Sequence, residues 1–231
     1  IGQLLDGKYR YSGREYEMPK HGFARHSVFA IKEQSGDFMT FSLASSDETR
    51  KCYPFEFELL IKYSVSGHTL RCTSTVINKT DGEMYFSIGA HPGFNCRIGD
   101  AIEFEKDENL RTMRIDSSSI LMDETFPVEL ENGRTIRLTE HIFDKDALIL
   151  EGLNSESLRL VSGDRTVKFT FGKAPYLGIW AKPNAPYVCL EPWYGVNDSC
   201  DKKDSIAKKR GIEKLEKGET FSFDWTAELE G

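Results

Sequence analysis

An all-β fold, built of antiparallel strands as a sandwich or barrel, is what this sequence predicts. Three observations carry the prediction: apolar and polar side chains alternate along most segments, turn residues interrupt the chain at short intervals, and helical spacing is scarce. The longest alternating run covers 55–65, where Phe55, Phe57, Leu59, Ile61, Tyr63 and Val65 share one face. Glu56, Glu58, Lys62 and Ser64 share the other, and only Leu60 breaks the pattern. A strand repeats every two residues, so such a run has one face to bury. Gly67 closes it, and the run over 70–78 that follows makes the pair a hairpin. Further strands are expected over 84–88, 102–104, 135–139, 158–160, 167–171, 187–190 and 221–225, with a turn at Ser162-Gly163-Asp164-Arg165. The best helical segment is 205–215, short and rich in lysine. The charge run over 201–210 reads as a solvated edge, and no internal repeat or low-complexity segment is present.

With 231 residues, 39% of them hydrophobic, the chain can bury a large core. No composition shift or Pro/Gly/Ser-rich linker divides it, so a single domain over 1–231 is expected. The formal net charge of −7 argues against nucleic acid or an anionic membrane as partner, and solubility explains it in plain terms. No apolar run approaches the ~20 residues that a membrane-spanning helix needs. Cys52, Cys72, Cys96, Cys189 and Cys200 are scattered and odd in number, giving neither a disulfide framework nor a zinc site. Reduced thiols and the lack of a visible signal peptide point to the cytoplasm. The residues assign no oligomeric state.

Three segments differ from ordinary strand or turn. The first, Lys20-His21-Gly22-Phe23-Ala24-Arg25-His26, gathers two imidazoles and a guanidinium around a glycine. A polar loop is the plain reading, although loops carry function disproportionately. The second, Ser87-Ile88-Gly89-Ala90-His91-Pro92-Gly93-Phe94, ends a strand whose apolar positions are Met84, Phe86 and Ile88. Parity puts His91 on the opposite face with Tyr85, Ser87 and Gly89, where small neighbours leave room for a ligand. Pro92 ends the ladder just beyond it. A capping or core histidine is the plain alternative. The third is Tyr187-Val188-Cys189-Leu190-Glu191-Pro192-Trp193-Tyr194-Gly195, in which Tyr187, Cys189, Glu191 and Trp193 share one face. A carboxylate beside aromatic rings suits a sugar, whose C–H face stacks on the ring and whose hydroxyls bond the carboxylate. An exposed Glu at a strand end is the plain alternative. Burial against Trp193 would raise the Glu191 pKa and make it a competent base near neutrality.

These segments, in this order, resemble the aldose 1-epimerase (galactose mutarotase-like) family, in particular its bacterial mutarotase-like branch near the hexose-6-phosphate 1-epimerases. The resemblance lies in His21-Gly22-Phe23-Ala24-Arg25, Gly89-Ala90-His91-Pro92-Gly93-Phe94 and Cys189-Leu190-Glu191-Pro192-Trp193, with Asp144-Lys145-Asp146-Ala147-Leu148-Ile149-Leu150 between them. It implies a large antiparallel β-sandwich, the galactose mutarotase-like supersandwich. It also implies His91 as the general acid for the ring oxygen and Glu191 as the base for the C1 hydroxyl. His21 and Asp146 then become substrate-binding residues, with Asp144 close enough to compete with Asp146; Trp193, from its own position, is the ring expected to stack on the sugar. Arg25 sits where a cation can meet a hydroxyl or a phosphate. The opening Ile1-Gly2-Gln3-Leu4-Leu5-Asp6-Gly7-Lys8-Tyr9 resembles a segment that relatives reach only after several strands, and Gln3 stands where many have Arg. The expectation is that N-terminal strands are missing from this chain, since their loss would leave an unpaired sheet edge.

Mutarotation needs one proton removed from the C1 hydroxyl and one delivered to the ring oxygen. A carboxylate and an imidazole suffice, each contributing ~10²–10⁴ in rate. No metal, nucleotide or redox cofactor is expected, and the partner is a monosaccharide or sugar phosphate. Three other readings compete: His21, His91 and Glu191 as metal ligands, Glu191 and Asp146 as a glycosidase pair, and a non-catalytic carbohydrate-binding module that keeps the aromatic platform alone.

Overall fold

The computed structural model describes residues 1–163, 165–201 and 205–230. Residue 164 of the expected turn and residues 202–204 of the charge run lie outside the described residues. Along the chain the strands are β1 (Lys8–Tyr11), β2 (Arg14–Glu17), β3 (Ala30–Gln34), β4 (Phe38–Ala44), β5 (Phe57–Ser66), β6 (Thr69–Asn78) and β7 (Met84–Phe86). Then come β8 (Ile88–Gly89), β9 (Gly93–Asn95), β10 (Ala101–Phe104), β11 (Arg111–Ile115), β12 (Leu121–Pro127), β13 (Thr135–Arg137) and β14 (Leu148–Glu151). The last are β15 (Ser157–Ser162), β16 (Arg165–Thr170), β17 (Tyr176–Trp180), β18 (Tyr187–Tyr194), β19 (Glu213–Leu215) and β20 (Thr220–Glu230). The chain forms two compact units: one holds residues 1–88 and 195–224, the other 89–194 and 225–231.

In the first unit β3, β4, β5 and β6 form an antiparallel meander, to which the start of β20 adds beside β6. The β5–β6 hairpin turns at Gly67, whose φ of 57° a glycine reaches without a Cβ penalty. Phe57 and Leu59 of the alternating row enter a core with Leu43, Phe55, Val76, Met84, Phe86 and Leu215. Further along β5 the row emerges, and Tyr63 and Val65 are exposed.

The helix expected over 205–215 is absent. Ile206–Lys208 is a single 3-10 turn, Gly211 breaks the segment at φ 66°, and 213–215 is strand β19 paired with β7. Leu215 is buried opposite Met84, so core contact and strand pairing override a weak helical propensity. Among the described residues the α-helix is Asp47–Cys52. Its sequence signals are an N-cap Ser46 and Thr49 bonding reciprocally at 3.2 and 2.8 Å, acidic residues in the first turn and basic ones in the last.

The second unit has two antiparallel sheets. One runs β13–β10–β15–β16 and continues into the end of β20; the other runs β12–β11–β14–β17–β18, with β9 added on β18. They meet through Phe94 of β9, whose ring centre is 5.5 Å from that of Phe169 on β16. Phe169 in turn packs against Trp225 at 5.8 Å. Ile102, Leu158, Leu160, Leu177, Ile179, Val188 and Leu190 complete this buried layer. Strands β14, β17 and β18 are covered on both faces, which is why they read as apolar runs.

Candidate active site

Strand β18 carries the site. Val188 and Leu190 point into the core, and Cys189, Glu191 and Trp193 occupy the other face, as parity requires. The segment before β9 is tied to β18 by two backbone bonds that bracket His91. Ala90 N–H donates to the Pro192 carbonyl at 3.0 Å, and Leu190 N–H donates to the Pro92 carbonyl at 3.1 Å. Pro192 has no N–H to give, but its carbonyl still anchors Ala90. The result sets His91 Nε2 3.3 Å from Glu191 Oε1. The imidazole side chain is 54% exposed and the carboxylate side chain 4%. One member of the pair therefore faces solvent while the other is sealed beneath it.

Burial is the main cause of the Glu191 pKa, which stands raised to about 8; the negative charge of Asp146 adds to the rise, and a hydrogen bond from Trp193 opposes it. That bond runs from the indole N–H to Oε2 at 3.2 Å. Burial, then the neighbouring Glu191, push the Cys189 thiol up to about 12. His91, Cys189 and Glu191 each offer a donor atom within 4.8 Å of the others, a set of nitrogen, sulfur and oxygen that can hold a metal.

Asp146 comes from the turn ahead of β14. It sits at φ 68°, an uncommon conformation for a residue with a Cβ, and its carboxylate accepts Ala147 N–H at 2.7 Å. It acts electrostatically on Glu191 and on the Arg114 guanidinium. Asp144 instead faces His141, 2.9 Å from Nδ1.

Trp193 is 5% exposed, its polar hydrogen spent on Glu191. Trp180 of β17, half-buried, meets the His91 ring edge-on at 6.2 Å. The sequence reading missed Trp180; its signal is the short run Tyr176-Leu177-Gly178-Ile179-Trp180, which reads as a strand despite its glycine.

His21 and Arg25 belong to the first unit. His21 has φ 63°; its Nδ1 accepts Gly2 N–H at 3.3 Å and its own N–H donates to the Gly2 carbonyl at 2.9 Å. It lines a mainly apolar cavity of about 170 Å³ with Tyr9, Phe23, Tyr53, Phe57 and Lys209. Arg25 lies in the 3-10 turn Ala24–His26 and is exposed.

A buried carboxyl and an exposed imidazole, in contact on a mutarotase-like sheet, meet a sequence-wide match. The sequence model of the family described as aldose 1-epimerase covers residues 3–225. The chain belongs to the aldose 1-epimerase family. Protein LacX of Lactococcus lactis subsp. lactis is 30% identical over 211 residues, 85% of this chain and 70% of that protein. A putative glucose-6-phosphate 1-epimerase of Salmonella typhimurium is 34% identical over 87 residues, 36% of this chain and 27% of its own length. The crystal structure of a galactose mutarotase related enzyme from Lactobacillus acidophilus superposes with a TM-score of 0.92 at 28% identity, over 100% of this chain and 80% of that one. The large antiparallel β-sandwich expected from the sequence is thus the aldose 1-epimerase fold, and membership makes the chain an epimerase-type enzyme acting on sugars. Among the described residues, no helix is long and apolar enough to cross a membrane.

Proposed function

We propose that the protein interconverts the α and β anomers of a hexose. The observation that carries this is the contact between His91 and a buried Glu191 whose pKa stands near 8. A carboxylate this basic removes the C1 hydroxyl proton far more readily than an exposed one. As that proton leaves, the electron pair of the O–H bond forms the C1 carbonyl and the C1–ring oxygen bond breaks. The ring oxygen takes the departing pair and a proton from protonated His91. Rotation about C1–C2 turns the other aldehyde face to the hydroxyl, and the reverse transfers close the ring. Asp146 holds sugar hydroxyls, and Trp180 offers ring surface beside His91. Trp193 serves the site through Glu191. Cysteines held as thiols rather than disulfides suit a reducing compartment such as the cytoplasm.

The buried, basic carboxyl favours this reading over a binding module, which gains nothing from keeping an acid out of water. Phosphorylated hexoses enter the test because one relative is named a putative glucose-6-phosphate 1-epimerase. Freshly dissolved α-glucose, α-galactose and their 6-phosphates are followed by polarimetry with and without protein. Acceleration on at least one sugar is expected, nearly abolished by Glu191→Gln and by His91→Asn. Full activity in either variant overturns the assignment of that residue, and no acceleration on any sugar overturns the proposal.

A further inference from the structure

We propose that Gly178 and Trp193 form a positioning pair for Glu191: the space left by the missing side chain at Gly178 holds the Trp193 indole, and that placement aims the indole N–H at Oε2 and leaves Oε1 to His91. This inference rests on the acid–base reading of Glu191 above. In the β17–β18 ladder Gly178 lies directly opposite Glu191, Tyr176 opposite Trp193 and Trp180 opposite Cys189. The indole does not stand above its own ladder position. It crosses diagonally over Gly178, back toward the carboxylate two residues earlier. A Cβ at 178 would lie 2.6 Å from Cζ2 and 3.0 Å from Cε2 and Cη2 of that ring. Carbon atoms in contact need about 3.5–4.0 Å, so any side chain there must push the indole away. A glycine inside a buried strand weakens it and commonly marks close approach by another group. Here the approaching group is the ring that bonds the base.

The two oxygens of Glu191 are thereby made unequal. Oε2 accepts the indole N–H at 3.2 Å, and Oε1 lies 3.3 Å from His91 Nε2. Without the indole donor, the carboxylate is free to turn and its two oxygens exchange places. Among the described residues, the other titratable or charged groups near it include Cys189 on its own strand, His91, and Asp146 with the Arg114 guanidinium beyond it. The indole N–H therefore favours the charged carboxylate against both burial and Asp146.

The test is a double-mutant cycle with Trp193→Phe and Gly178→Ala, read in two ways. The Glu191 carboxyl is titrated by carbon-13 NMR without sugar, and the pH dependence of anomerisation is measured with it. Trp193→Phe keeps a ring but removes the N–H, so the Glu191 midpoint should rise by about one pH unit. The activity limb should move with it, a loss of roughly tenfold at neutral pH. A phenyl ring also lacks the Cζ2 and Cη2 carbons of the indole that crowd position 178. Gly178→Ala should therefore shift the indole N–H resonance and lower the rate about tenfold in the native Trp193 background, yet cost less than about twofold in the Trp193→Phe background. An unmoved Glu191 midpoint in Trp193→Phe, or an equal cost of Gly178→Ala in both backgrounds, overturns the proposal. If Gly178→Ala does not fold, the Trp193→Phe titration decides alone. A shifted midpoint in a protein that accelerates no anomerisation keeps the pair and overturns the function. Rapid anomerisation with an unmoved midpoint does the reverse.

Discussion

Replacing Glu191 by Gln should abolish anomerisation and, at alkaline pH, make the protein more stable. In the folded chain the carboxyl pKa is raised from its ordinary 4.5 to about 8. The folded state therefore holds a proton that the unfolded chain has released throughout the window from about pH 4.5 to 8. Stability falls as pH rises wherever the folded state binds more protons, by ~1.36 kcal/mol per pH unit for one group. The contribution is intact below the lower limit and fully lost above the upper one. Across the whole window the ceiling is roughly 5 kcal/mol, a large share of the ~5–15 kcal/mol that holds a typical protein folded. Gln has nearly the same shape and never takes a charge. Guanidinium unfolding of both proteins at pH 5 and pH 9 isolates the effect, because most other groups titrate alike in the two. The variant's stability relative to the native protein should improve by on the order of 2–5 kcal/mol between the two pH values. A difference that stays constant with pH, or a variant that loses ground at pH 9, refutes the claim that burial holds this carboxyl neutral.

Because the reaction needs Glu191 as the free base and His91 protonated, anomerisation kcat/KM should change with pH around 8, and a profile flat from pH 6 to 9 would contradict that pairing. Dialysis against a chelator should leave the rate unchanged, since the proton transfers need only Glu191 and His91. A loss restored by zinc would show instead that the cluster of His91, Cys189 and Glu191 works as a metal centre. The Trp225 indole nitrogen is buried with no acceptor among the described residues. Trp225→Phe removes a costly donor while losing some packing, so its stability should stay within about 1 kcal/mol of the native protein by denaturant titration. Leu177→Ala, at a fully buried site, should cost about 2–5 kcal/mol in the same measurement.

Much of the fold was legible because strand periodicity is a local property. The alternation at 55–65 identified the row that enters the core, and Phe57 and Leu59 are buried as expected. How far the core reaches along that strand was not legible, because Tyr63 and Val65 repeat the same pattern and stand exposed. The segment 205–215 misled for a related reason. Its lysines and spacing describe a helix in isolation, whereas its strand pairs with β7, far away in sequence. The helix at 47–52 had a local signal in its capping box, which a search for apolar periodicity passes over.

Residue order alone identified this chain as an all-β member of the aldose 1-epimerase family and placed Glu191 on one face with Cys189 and Trp193; it put His91 at the end of a strand, whereas His91 lies in the link between β8 and β9. These readings follow from the two-residue repeat of a strand and from motifs in series. The electrostatics arose from contacts between segments distant in the chain. The fold tied the His91 segment to β18 through Ala90 and Leu190, sealed Glu191 so that burial lifts its pKa, and directed Asp146 rather than Asp144 toward it. It also gave Gly178 a reason to be glycine, since that residue lies across a ladder from Glu191 and under a ring fifteen residues further along the chain. Burial and cross-strand contact depend on which distant segments meet, and the spacing of neighbouring residues carries no record of that.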